Sequence, residues 1–216
     1  MSSMKRIVVA ISFLVIGFSA FSQNPEPKMV LDKMSETYRA MPGFEISFVQ
    51  KILSEGEVID RLAGNASVSK EKFMIKFQDQ HIYCDGNVLW TYLLASQELT
   101  ISNFEPDEAV INPSNVYDIY KEGFTYEYKR SGTVNEQAVH VIELTSTDPD
   151  SDFTNVVLYI GEKDSYLKSW DLIDYSGAKT SFDVSEFIPN KTFDPSFFVF
   201  NEETNPVQYK EDLRYE

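Results

Sequence analysis

The sequence predicts a mainly β (α+β) fold: a strongly curved, unclosed antiparallel β-barrel with an N-terminal helix and short lid helices over its mouth. Three observations support this prediction. Apolar residues follow a helical period near the start of the chain, and from Phe44 onward they alternate with a period of two. A short second helical pattern interrupts the alternation near residues 115–122. About ten short strands with hairpin-length gaps favour an antiparallel sheet that curls on itself.

The first 22 residues resemble a cleavable signal peptide. Two basic residues precede an apolar run from residue 7 to residue 21, and Ala20 and Ser22 are small enough to suit cleavage after residue 22. An apolar run of about fifteen residues is short for a bilayer span. We therefore expect export to the periplasm, leaving residues 23–216 as a single domain, since neither a composition shift nor an internal repeat divides them.

The first element of the exported part is predicted to be a helix over residues 25–41. Val30, Met34 and Tyr38 recur at a spacing of four, which places them on one face. Pro42-Gly43 then ends the helix, because proline and glycine both disfavour its continuation.

The rest of the chain is predicted to be strands, with one exception. Asp85-Gly86 lies between two apolar runs and indicates a hairpin. The exception is a short helix over residues 115–122, capped by residues 112–114, with Val116, Ile119 and Tyr120 on one face. The polar tail, residues 205–216, is expected to be loosely held. Strands are expected at residues 44–49, 73–78, 81–84, 88–94, 99–104, 124–130, 138–145, 155–161, 167–175, 180–187 and 197–201.

The strands leave open what the barrel contains. Residues 156–160 and 197–200 are apolar on both faces, so both sides are covered or one side lines a cavity. The alternation alone is compatible with a filled core and with a hydrophobic cavity.

Composition excludes several classes of function. Lys and Arg number 19 against 34 Asp and Glu, which gives a net charge of −15. So acidic a chain repels phosphate groups, and nucleic-acid binding is therefore disfavoured. At 43% hydrophobic and 14% aromatic residues, the chain has enough apolar material for a packed fold, unlike a disordered acidic tail.

The supply of cysteine and histidine limits the chemistry. Cys84 is the one cysteine, so no intramolecular disulfide forms, and His81 and His140 are the two histidines. A zinc site of the Cys₂His₂ or Cys₄ type cannot be built from this chain. No common hydrolase, nucleotide-binding or metalloprotease motif is present. We therefore expect a protein that is not an enzyme, with no catalytic residues, no metal and no cofactor.

Four segments together resemble the LolA family, whose members carry lipoproteins through the periplasm towards the outer membrane. They are Phe48-Val49-Gln50, similar to the family's F-x-Q, and the stretch from Gly64 to Phe73, similar to G-x-L-x-x-x-R-P-x-x-F. Residues 85–92 match D-G-x-x-L-W-x-Y, and residues 194–200 resemble D-x-x-x-F-x-F. The order of these segments, the signal peptide and the helix after it also fit.

The resemblance implies a hydrophobic cavity that takes the acyl chains of triacylated or diacylated lipoproteins. It also implies delivery by an inner-membrane lipoprotein-releasing ABC complex, an outer-membrane acceptor where one exists, and a monomeric carrier without nucleic-acid partners. Such a cavity should be partly occluded when empty, so that its own closure competes with the lipid. The candidate lipid-binding residues are Met34, Phe48, Phe73, Ile75, Trp90, Val116 and Ile119.

One position departs from the family pattern. In the family, an arginine bonds to lid carbonyls and holds the empty form shut; the aligned residue here is Lys70, followed by Glu71 instead of proline. Lysine cannot fork between two carbonyls as arginine does. The resemblance thus implies that Lys70 gates the lid, with a weaker lock, and that Phe73 contributes to docking with the inner-membrane complex.

Three other functions remain open from the sequence. A related curved-sheet protein could carry another amphiphile, such as a glycolipid. A secreted hydrolase would need two carboxylates facing one another across a cleft, and no spacing singles out such a pair. An adhesive or scaffolding β-domain would have a filled core. Binding of a hydrophobic probe would separate the carriers from the hydrolase and the scaffold.

Overall fold

The computed structural model describes residues 25–105 and 113–214. The predicted signal peptide, residues 1–22, and the first position of the predicted helix cap, Asn112, lie outside the described residues. Within the described ranges, no helix is both long and apolar enough to cross a membrane.

One helix and a single sheet make up most of the described chain. The strands are numbered in chain order, and their spatial order is β12-β6-β5-β4-β3-β2-β1-β11-β10-β9-β8-β7. The elements are α1 (Pro27–Arg39), β1 (Phe44–Ser54), β2 (Glu57–Ser69), β3 (Lys72–Phe77), β4 (Gln80–Cys84), β5 (Val88–Leu93), β6 (Glu98–Asn103), β7 (Phe124–Val134), β8 (Gln137–Ser146), β9 (Asn155–Gly161), β10 (Leu167–Ile173), β11 (Lys179–Ile188) and β12 (Tyr209–Asp212).

The sheet does not close, because β7 and β12 are its two edges. Neighbouring strands are antiparallel except for β12, which runs parallel to β6. Ser185 of β11 is an extra residue opposite the step from Ser47 to Phe48 of β1 and shifts the register of this strand pair. Such bulges bend a strand and increase its twist. The predicted fold class, a mainly β, curved and unclosed antiparallel sheet with an N-terminal helix, is confirmed.

Helix α1 covers one face of the sheet, which we call the inner face. Pro27 occupies the first turn and Arg39 the last, where a proline and a basic side chain respectively suit the helix ends. Leu31 and Met34 are fully buried. The helix face predicted from the spacing of apolar residues therefore packs against the sheet.

Two predicted elements adopt a different local structure. The helix expected over residues 115–122 is only a 3-10 turn, Ile119–Lys121; residues 115–118 form turns, and the backbone is extended at Glu122. The strand expected at residues 197–201 begins instead as a 3-10 helix, Pro195–Phe198. There the Asp194 carboxylate accepts the N–H of Ser196 and caps the helix, an interaction that outweighs the β propensity of the phenylalanines.

The remaining differences concern pairing. The tail predicted to be loose contains β12, which the edge of β6 holds through backbone hydrogen bonds. The expected strands also omitted β2, whose first half is charged and exposed and therefore lacks the alternation that marks a half-buried strand.

Buried apolar residues form clusters on both faces of the sheet. The largest lies on the inner face and joins α1 to most strands. A second lies on the outer face, where Phe198 and Phe200 of the C-terminal segment pack against β3 to β6. This segment explains why Leu99 and Ile101 of β6 are buried on the outer face.

Candidate functional site

Apolar side chains from five strands line up across one half of the inner face. The register aligns Phe44 with Val68, Val68 with Phe73, Phe73 with Cys84, and Cys84 with Leu89. A second row, two residues further along β1, contains Ile46, Ala66, Ile75 and Ile82. The alternation predicted from sequence is therefore extended by the pairing into a continuous apolar surface.

A third row of the inner face is aromatic. Phe48 is paired with Gly64, which is paired with Phe77, and the two phenylalanine rings meet edge to face with centroids 5.8 Å apart. A Cβ on Gly64 would lie 2.7 Å from the Phe48 ring and 2.9 Å from the Phe77 ring. Glycine is needed at this position because the two rings occupy the space above it.

Tyr38 of α1 anchors the helix over this surface. Its ring stacks on Tyr117 with centroids 4.6 Å apart and meets Phe44 edge to face at 5.2 Å. Its hydroxyl accepts the backbone N–H of Leu167 at 3.0 Å. Burial raises the pKa of Tyr38 far above its usual range, so the phenol stays neutral.

Residues 113–123, between β6 and β7, form a lid segment beside α1. Val116 and Tyr117 of this segment are buried against the inner cluster. Tyr120 is also buried, and its ring meets Tyr126 of β7 edge to face at 6.2 Å. Together, α1 and the lid segment cover the inner face on the side of the open sheet edge formed by β7.

Asp118 fastens the lid segment to α1. Its carboxylate accepts hydrogen bonds from Arg39 Nε at 2.8 Å, from Ser35 Oγ at 2.5 Å and from Lys121 Nζ at 2.6 Å. We call Asp118 and these three donors the latch. Burial alone would raise the pKa of Asp118, but the hydrogen bonds from Lys121, Ser35 and Arg39 outweigh it and lower the pKa.

A second contact fastens the lid segment nearer the start of α1. The Tyr120 hydroxyl donates to Asp32 Oδ1 at 2.8 Å, and Lys28 pairs with the other oxygen of Asp32 at 2.6 Å. The contacts between α1 and the lid segment thus include two carboxylates. Their polar partners can exchange for water when the segment moves, unlike a dry apolar contact.

The structure brings together six of the seven candidate lipid-binding residues. Trp90 is the exception, because β5 directs it to the outer face, where it packs with the second cluster. The expectation that it shares a surface with the others is therefore corrected; residues one position apart on a strand face opposite ways. The six that lie in or against the inner cluster are Met34, Phe48, Phe73, Ile75, Val116 and Ile119.

Phe73 is placed where it cannot contact a partner directly. It is 3% exposed, and its ring meets Phe104 edge to face at 5.7 Å. A docking role would require this side chain to leave the core. The structure thus shows Phe73 packed in the core.

Lys70 lies in the two-residue turn between β2 and β3. It is exposed and adopts a φ of +56°. It makes no hydrogen bond or ion pair with any of the residues that the structure describes. Among the described residues, Asp118 ties the lid segment to α1 through Ser35 and Arg39, and no sequence motif marks Asp118.

Replacing Lys70 with glycine should leave lipid release unchanged and keep or slightly raise the thermal midpoint. Glycine adopts a positive φ without the steric penalty of a Cβ, which is worth up to about 1 kcal/mol. Release of a fluorescent fatty acid and a melting curve measure both effects. Faster release by Lys70→Gly would restore Lys70 as a lid gate.

A separate pocket of about 400 Å³ lies on the outer face. Its floor contains Glu186, Ser47, Asn65 and Lys76, which the register aligns in one row, and Phe197 forms a wall. The floor is polar and differs in this respect from the inner face. Acyl chains therefore suit the inner face rather than this pocket.

The sheet is unclosed, and one helix and the lid segment cover its apolar face. These features define a class of curved-sheet binding proteins that can enclose an apolar ligand. The chain belongs to the LolA family, described as outer membrane lipoprotein carrier protein LolA, whose family model matches residues 39–201. No curated protein matches the chain by sequence.

Solved structures are similar to this chain at low sequence identity. An uncharacterized conserved protein from Thermus thermophilus is 12% identical, with a TM-score of 0.58, covering 87% of this chain and 98% of its own. A LolA superfamily protein from Nitrosomonas europaea is 12% identical, with a TM-score of 0.44 and coverages of 82% and 99%. The lipoprotein LppX from Mycobacterium tuberculosis is 9% identical, with a TM-score of 0.45 and coverages of 78% and 99%.

Proposed function

We propose that this protein is a periplasmic carrier that binds the acyl chains of lipoproteins on its inner face and carries them to the outer membrane. The observation that carries the proposal is the continuous apolar inner face, covered by a helix and a lid segment that polar contacts hold together. Membership of the LolA family supports the same function.

In this proposal α1 and the acyl chain compete for the same surface. Helix α1 buries four of its own apolar side chains against the sheet: Val30, Leu31, Met34 and Tyr38. The burial of four such side chains stabilises the closed form by about 6–12 kcal/mol. One acyl chain of about fourteen methylenes is worth about 11 kcal/mol when buried. Because the free energies of burying the helix face and a single acyl chain are similar, the helix can yield to one chain of the cargo and compete for the same surface when that chain leaves.

Met34, Phe48, Phe73, Ile75, Val116 and Ile119 are the residues that we assign to the acyl chains. Methionine and phenylalanine adapt to ligands of varied shape, methionine through its three rotatable bonds. The proposed cargo is a triacylated or diacylated lipoprotein. The proposed donor is an inner-membrane ABC complex, and an outer-membrane acceptor, where one exists, takes the cargo. No residue is assigned a catalytic role, and the proposed carrier is not an enzyme.

Native mass spectrometry of the exported protein, co-expressed with a lipoprotein and purified without detergent, tests the proposal. We expect a one-to-one complex that retains the acylated partner. Deacylated lipoprotein is the control and should not co-purify. If the acylated and deacylated forms bind equally, the acyl chains are not the recognised feature and the proposal is wrong.

A carrier of another amphiphile is the second candidate, because the same inner face would accept any long apolar chain. The same experiment distinguishes the two candidates. A small lipid adduct that survives purification, with no lipoprotein retained, would favour the amphiphile carrier. Absence of any adduct, together with no binding of a hydrophobic dye, would indicate a permanently filled core.

A further inference from the structure

Half of β2 lacks a neighbour on one side. Strand β1 pairs with β2 along nearly its whole length, from Glu57 to Val68. Strand β3 pairs only with residues 64–69. In the described part of the chain, residues 57–63 therefore pair with β1 alone, and we call them the open half of β2. A strand edge of this kind presents backbone groups to which another extended chain can add.

The backbone N–H of Arg61 shows which groups face the open side. It donates to the carboxylate of the neighbouring Asp60 at 2.7 Å rather than to β1. Backbone groups of alternate strand residues point to the same side, so Ala63 also presents its N–H and C=O to the open side. The Asp60 carboxylate accepts a hydrogen bond that the carbonyl of an added strand could accept instead.

The open half borders a part of the inner face where apolar side chains reach solvent. Ile52, Leu62 and Phe77 are each only half-buried there. At the other end of β1, Phe44 is covered by Tyr38 and is buried. An acyl chain lying against Phe77 would therefore place its polar end beside the open half of β2.

The charges and exposed side chains of the open half restrict which peptide segments fit it as an added strand. Glu57 and Asp60 outnumber Arg61 in the open half, so a neutral or basic segment fits and an acidic one is repelled. Val58 and Ile59 are 39% and 65% exposed. Two exposed β-branched side chains offer packing to the side chains of an adjacent strand.

We propose that the open half of β2 binds the extended peptide that follows the acylated end of the cargo, as a short added strand. This inference rests on the proposed function, because the acyl chains on the inner face would hold the peptide at this edge. The peptide backbone supplies the hydrogen bonds, so cargoes of different sequence can bind in the same way.

Titration of the mature protein with two lipids tests the proposal. One probe is dipalmitoylated cysteine amide; the other carries the same lipid on a neutral peptide tether of about eight residues. We expect the tether to tighten binding about tenfold in the wild type, since two or three hydrogen bonds are gained. Amide hydrogens of residues 57–63 should exchange more slowly with the tethered probe than with the free lipid.

Arg61→Pro and Arg61→Ala form a matched pair. Proline removes the outward N–H but leaves the pairing with β1, because a proline at a strand edge is tolerated when its nitrogen faces solvent. Alanine removes the side chain and keeps the N–H. We expect the tenfold gain to disappear in Arg61→Pro and to persist in Arg61→Ala.

The outcomes separate this inference from the proposed function. Equal affinity for the two probes in the wild type would overturn the tether site while leaving acyl binding intact. Loss of the gain in both Arg61 variants would also overturn it, because the side chain and not the backbone would then be responsible. Failure of both probes to bind would overturn the proposed function itself.

Discussion

Phe73→Glu is expected to unfold the protein rather than to disable one surface. Phe73 is 3% exposed and contacts Phe104 through its ring. Truncating a buried phenylalanine costs about 3–5 kcal/mol, and an unpaired buried carboxylate adds to that loss. Because domains of this kind have only about 5–15 kcal/mol of stability, we expect little cooperative melting by circular dichroism.

Two control variants make this expectation specific. Phe73→Met keeps the volume and apolar character, so it should cost less than about 1.5 kcal/mol. Phe197→Glu makes the same chemical change on a phenylalanine that is 38% exposed, and it should melt close to the wild type. If Phe73→Glu also melted like the wild type but failed to accept cargo, the docking role inferred from the family resemblance would be restored.

Asp118→Ala should open the lid segment and raise the apparent affinity for lipid. The substitution removes the acceptor of three hydrogen bonds, from Ser35, Arg39 and Lys121. With solvent screening taken into account, we expect the closed form to lose about 2 kcal/mol. The open fraction, and with it the apparent affinity for a fluorescent fatty acid, should then rise about 30-fold. The thermal midpoint should fall by a few degrees.

Asp183→Ala is the matched control for the latch. Asp183 also accepts hydrogen bonds from a serine and a lysine, Ser169 and Lys51, but on the outer face, away from the lid segment. It should lower the thermal midpoint without changing lipid affinity. Equal affinity changes in both variants would show that general loosening, and not the latch, controls lipid access.

The latch should be insensitive to mildly acidic pH. The pKa of Asp118 is lowered in the folded protein, so its contribution to stability is present above the ordinary value of 3.8 and is lost only as pH falls through the folded value. Lipid uptake by the wild type should therefore change little between about pH 8 and about pH 5 through this group. A steep rise in uptake across that range would require another titrating residue.

Local sequence signals predicted most elements correctly and failed where pairing decides structure. The Asp85-Gly86 hairpin was predictable because a glycine with positive φ and an aspartate that caps the turn act within four residues. The parallel β12 was not, since β6, a strand distant in sequence, holds its backbone. The open half of β2 was not either, although its partner β1 precedes it directly in the chain. Their exposed, charged side chains carry no alternation.

In the candidate site, too, local sequence signals identified some residues, and tertiary structure was needed for the others. Five of the apolar candidates could be identified as buried from spacing alone, because burial follows from the hydrophobic effect acting on one face of an element. Trp90 was misplaced because alternation fixes which residues share a face but not which face lies inward. Asp118 was missed because a single aspartate in a loop resembles any solvated one.

The sequence by itself determined the class of fold, the helix period and the apolar alternation, since each depends on residues close along the chain. Tertiary structure decided which face α1 covers and that Asp118 ties the lid segment to α1. Among the described residues, it also left the first half of β2 paired with β1 alone. These features depend on contacts between residues far apart in the chain, such as Ser35 and Asp118, whose geometry only the complete packing defines.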